Sequence, residues 1–190
     1  AEPFPARGGR LALAPGNRID VFVDIAEGAR APGAAIGLVL HDGRGGGSGG
    51  DGARPIARLV HDAGPPPRPG PLPQPAPLPA NALPARIDLA KAMRVDLDLG
   101  DAAAGWIAVS PVLREKPPAF RIKRGQAVVC ALKNPTAMPA AFHVHGHPFR
   151  LLDRLDDGWK PFWLDTMLVE AGRTERIAFV AGNPGDWMIV

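Results

Sequence analysis

The sequence holds one cysteine and no tyrosine among its 190 residues. A lone cysteine excludes an internal disulfide and says little about redox compartment. No apolar run reaches the roughly 18 residues needed to span a bilayer. No basic block is interleaved with aromatic residues, and 22 basic against 19 acidic residues leave a formal charge of only +3. Nucleic acid is therefore not an expected partner. No glycine-rich phosphate loop opens a helix, and no Ser or Cys sits in a nucleophile-elbow context. The residues from Ala1 onward show no basic-then-apolar signal segment. A processed chain or a fragment is the expectation.

Glycine and proline are abundant instead, at 23 each. That composition disfavours long helices and fits many short strands joined by turns. The length suffices for one substantial core or two small ones. Two apolar runs within Arg10–Asp24 flank the turn signal Pro15-Gly16-Asn17, and Ile36–Leu40 and Ile56–Val60 supply further strands. Gly43–Gly52 reads as a flexible loop. These pieces make half a small sheet, which needs a partner. Pro65–Pro79 carries nine prolines in fifteen residues, and reads as a semi-extended interdomain strap, with a proline-recognition ligand as the alternative.

The second block begins near Asn81. Val95, Leu97 and Leu99 alternate with Arg94, Asp96 and Asp98, the mark of a half-buried strand. Phe120 and Ile122 predict a short strand before a turn at Arg124-Gly125. Gln126–Leu132 places Val128, Cys130 and Leu132 on one face, with Cys130 read as a small core residue. Phe149 and Leu151 continue a strand to Asp153, and Asp156-Asp157-Gly158 marks a turn. Thr166–Val169 and Arg176–Val180 are two more strands, and Asn183-Pro-Gly-Asp186 is another turn. Trp159, Phe162 and Trp163 read as a lid over the core, with a pocket lining as the alternative. Seven or eight short strands point to an all-β fold, a Greek-key β-sandwich.

The densest chemical signal is Phe142-His-Val-His-Gly-His-Pro-Phe149, which holds three of the five histidines. On a strand, His143 and His145 point to one face while Val144 points to the other. Imidazole is the commonest metal ligand and suits copper or zinc. A structural or solvated cluster is the competing reading.

The succession Arg124-Gly-Gln, Asn134, His143-Val-His-Gly-His-Pro-Phe149, Asp165-Thr166 and Phe179 through Asn183-Pro-Gly-Asp-Trp187 resembles the last cupredoxin domain of laccase-like multicopper oxidases. Leu13–Val21 resembles the late part of the preceding cupredoxin domain. The resemblance implies a partial cupredoxin-like domain at 1–63, a proline-rich linker at 64–80, and a C-terminal cupredoxin-like domain at 81–190. It implies copper, with His143 on the type 2 ion, His145 on a type 3 ion, and His147 structural or supporting the ligands. It implies oxygen and a small reducing substrate or metal ion as partners of the complete enzyme, together with the missing cupredoxin domains. A periplasmic or secreted location is implied as well.

The departures matter equally. Ala140 stands where the family places a type 1 copper histidine, and the His-Cys-His motif expected after Trp187 does not follow. A chain truncated before that motif, and inactive alone, is the expectation. A non-enzymatic cupredoxin-like scaffold is the alternative. Such a chain is also expected to be of low stability or to associate.

Overall fold

The computed structural model describes residues 6–23, 33–41, 53–60, 82–100, 117–152 and 158–190, with Pro73, Ala76, Pro77 and Pro79. By compactness it divides into one unit of Ala1–Arg18 with Pro75–Val190, and another of Ile19–Gln74. The second unit contains β1 (Ala35–His41) and β2 (Ala53–Val60), paired antiparallel with an irregularity between Leu38 and Val39. Both strands were expected from their apolar runs. Nearly every residue in them is exposed, so this hairpin buries little apolar surface.

The larger unit is a cupredoxin-like sandwich. Its strands are β3 (Met93–Asp98), β4 (Ala127–Lys133), β5 (Ala140–His143), β6 (Arg150–Leu151), β7 (Thr166–Val169) and β8 (Thr174–Val180). One sheet runs in the order β3-β4-β8-β6, and β5 pairs with β7 in a second. β4 lies parallel to β3 and antiparallel to β8. Its sequence, Ala-Val-Val-Cys-Ala-Leu-Lys, is apolar on both faces, as a strand covered on both sides requires. Val128, Cys130 and Leu132 meet Phe142, Val144, Met167, Val169, Ile177 and Phe179 in the main core. Val129 and Ala178 point the other way, into a smaller cluster with Ile87 and Leu152. Trp159 and Trp163 pack against that cluster, and both hold the Arg150 guanidinium, at 5.5 and 4.7 Å from their ring centroids. Trp159 and Trp163 thus cover this cluster as the lid reading expects, while Trp163 also borders a cleft, as the alternative expects.

Three expectations need correction. No ladder forms along residues 10–23, where Leu11, Leu13, Ile19, Val21, Phe22 and Val23 stay exposed. None of these residues joins a sheet, and an apolar run that pairs with no strand has no ladder to extend. Phe120 and Ile122 pack half-buried against the main core without entering a strand, since apolar packing does not require a ladder. β6 is shorter than expected, at two residues, and isolated bridges at Phe149–Leu164 and Leu152–Trp159 flank it. The glycine loop at 43–52, most of the proline strap, and Asp153, Asp156 and Asp157 lie outside the described residues.

Candidate metal centre

β5 delivers the histidines. It pairs with β7 in the register Ala140–Val169 through His143–Thr166. On its other side, His143 and Val190 exchange backbone hydrogen bonds at 2.7 and 3.0 Å, and His145 N–H donates to the Met188 carbonyl at 3.0 Å. Cross-strand bonding therefore reaches His145, where the chain turns. Val144 is buried in the core, while the His143 and His145 rings emerge on the opposite face. Their centroids are 4.5 Å apart and the ring planes stand at 85°. The period-two reading thus holds for the pair.

The loop leading into β5 is tied down by Asn134, a residue whose role the sequence does not reveal. Its buried amide donates to the Met138 and Val169 carbonyls at 2.8 and 2.9 Å, and its carbonyl oxygen accepts from Thr136 N–H and Oγ1 at 3.1 and 2.7 Å. A fully paired buried amide of this kind fixes the chain around it. Ala140 occupies the first position of β5.

His143 Nδ1 lies 2.9 Å from Thr166 Oγ1, and that hydroxyl donates to Asp165 Oδ1 at 3.0 Å. Arg18 in turn pairs with Asp165 Oδ2 at 2.9 Å. Burial pushes the Asp165 carboxyl up, but the hydrogen bonds from Thr166 and Arg18 offset it and leave the group below its ordinary range. Asn17 clamps the same place, donating to the Thr166 carbonyl at 2.8 Å. The Pro15-Gly16-Asn17 turn expected from sequence is present and docks here. Asn17, Arg18, Pro148, Trp163, Leu164 and Asp165 also line a cleft of about 200 Å³.

His147 does not join the pair. It is buried, with its ring against Phe179 at 5.4 Å and Trp187 at 5.9 Å. Its Nδ1 is 3.3 Å from the His145 carbonyl oxygen, and its Nε2 is buried with no hydrogen-bond partner among the described residues. It braces the turn that carries His145. Cys130 is buried in the main core, and desolvation pushes its thiol up to about 12. A protonated thiol held there is an inert core group.

Among the described residues, no group of three or more His, Cys, Asp or Glu side chains is gathered as a metal site. Two imidazoles on one face fit copper as a partial donor set. His143 engages its Nδ1, so its Nε2 is the nitrogen left to face a cation. No hydrogen bond involves the His145 ring among the described residues.

The sequence profile of the multicopper oxidases matches residues 86–189. The chain belongs to the multicopper oxidase family. Among solved structures it is similar to Lac15 from a marine microbial metagenome, at 26% identity and a TM-score of 0.54, over 82% of this chain and 35% of that one. It is similar to a multicopper oxidase from Pseudomonas thermotolerans, at 30% identity and a TM-score of 0.53, over 71% and 33%. A laccase-like CueO from Ochrobactrum sp. shares the fold, at 19% identity and a TM-score of 0.55, over 83% and 38%. The chain thus spans about a third of each of these structures. No curated protein matches it. Family membership implies copper as the cofactor. No helix among the described residues is long and apolar enough to cross a membrane.

Proposed function

We propose that this chain supplies part of a trinuclear copper site in a multicopper oxidase that oxidises a small reducing substrate or metal ion and reduces oxygen to water. The carrying observation is the His143–His145 pair, two imidazoles 4.5 Å apart on one face within the matched family segment. Copper there would supply reversible one-electron redox chemistry. The chain's own residues bind and orient: β5 and its two neighbouring segments fix the backbone, Thr166 holds the His143 ring, and His147 braces the turn behind His145. In this reading 1–63 belongs to the end of a middle cupredoxin domain, 64–80 is a linker, and 81–190 is the C-terminal domain. The remaining cluster ligands come from other cupredoxin domains, and the protein works in the periplasm or outside the cell.

The chain alone is inactive in this proposal. A blue copper centre needs a thiolate and two histidines. The one cysteine sits in the core with its thiol pushed up to about 12, and residue 140 is alanine. The second reading, a scaffold without working copper sites, draws on these same two residues. Copper-loaded chain is expected to show no intense thiolate-to-copper absorption in the visible range. It is also expected to show no oxygen uptake with phenolic or metal-ion donors. Sustained uptake in an oxygen electrode, abolished by His143→Ala, overturns the claim that the chain is inactive alone.

A further inference from the structure

We infer that Asp165 and Thr166 are positioning residues that hold His143 in its Nδ1–H tautomer, leaving a bare Nε2 lone pair to face the cation. The inference rests on the reading of His143 as a copper ligand. Its warrant is hydrogen-bond bookkeeping. A threonine hydroxyl has one proton and two lone pairs, and an ionised carboxylate accepts only. The Thr166 hydroxyl donates its proton to Asp165 Oδ1 at 3.0 Å. What it offers His143 Nδ1, 2.9 Å away, is therefore a lone pair. Nδ1 must then carry the proton, and in a neutral imidazole the other nitrogen is the acceptor.

Three features fix the relay in place. His143 and Thr166 are direct cross-strand partners, so their side chains meet without a detour. Arg18 engages Asp165 Oδ2 at 2.9 Å, so each carboxylate oxygen has its own donor. Asn17 donates to the Thr166 carbonyl at 2.8 Å while its own Oδ1 accepts from Ala14 N–H at 2.9 Å. A turn about 150 residues upstream in the chain thereby locks the backbone of the positioning pair.

The test reads the tautomer directly, by long-range proton–nitrogen NMR of the imidazoles in the full metal-free chain, above the ordinary imidazole titration range. The expected wild-type spectrum has His143 protonated on Nδ1. Asp165→Ala frees the hydroxyl proton to point at Nδ1, so the Nε2–H form becomes the major one. Thr166→Ser keeps the hydroxyl and is expected to keep the wild-type tautomer. Copper affinity is expected to fall about 10–100-fold in Asp165→Ala and to hold in Thr166→Ser. A wild-type His143 protonated on Nε2, or tautomer populations unchanged in Asp165→Ala, would overturn the inference. An intact tautomer pattern without copper binding would instead overturn the ligand reading and leave the relay supported.

Discussion

Gly146, between His145 and His147, sits at φ 70°, where an added Cβ would lie 2.7 Å from the Trp187 ring. Gly125 shares the left-handed backbone at φ 82° but has nothing within 4 Å of such a Cβ. The pair separates backbone strain from crowding. Gly125→Ala is expected to cost about 1–2 kcal/mol from the backbone alone. Gly146→Ala adds about 1–3 kcal/mol of overpacking and displaces Trp187 from His147. Urea unfolding measures both, and equal losses would remove the crowding term. Cys130 carries a pH prediction. Its folded-state thiol lies above its ordinary value of 9.0, at about 12. The unfolded chain ionises first, so the thiol's contribution is whole below 9.0 and is lost as pH rises toward about 12. Cys130→Ala is expected to flatten the fall in urea midpoint over that window, and an identical fall in both proteins would contradict it. At this scale the sequence exposes His143, Val144 and His145 through their alternation. The links of Thr166 and Asn17 to the site stay hidden, because they run through strand pairing and a docked turn rather than through local spacing.

Among the elements, β3, β4, β7 and β8 were legible because their apolar residues face a core that exists in this chain. Leu97, Val128, Leu132, Val169 and Ile177 are all buried in it. The apolar residues at 11–23 carry an equally suggestive pattern and form no ladder, since period and propensity do not supply a neighbouring strand. β1 and β2 lie between these cases. They pair as expected, yet Leu38, Val39, Leu40, Ile56, Leu59 and Val60 are exposed. An isolated two-stranded hairpin is marginal in water. Amide hydrogen exchange is therefore expected to be faster in β1 and β2 than in β4 and β8 by about two orders of magnitude or more. Equal protection in the two sets would show that the hairpin is covered in solution. The sequence pattern overstates β6 because Phe149 and Leu152 are buried beside single bridges, which periodicity cannot tell from a ladder.

For the whole molecule, the family was legible from the order of spaced motifs, and the profile match over 86–189 agrees with it. The partial span was legible too, because the motifs resemble only the last cupredoxin domain and the end of the one before it, and the chain covers 35% of Lac15 and 33% of the Pseudomonas thermotolerans oxidase. A complete ligand set depends on residues that two imidazoles cannot replace. Copper binding by this chain is accordingly expected to be weak and to depend on both members of the pair. Calorimetric titration of copper into the full chain, beside the His143→Ala, His145→Ala double variant, tests this most directly. The expected result is weak binding in the wild type and none in the double variant, with both chains folded. Equal affinity in the two would contradict the assignment of His143 and His145 as the copper ligands.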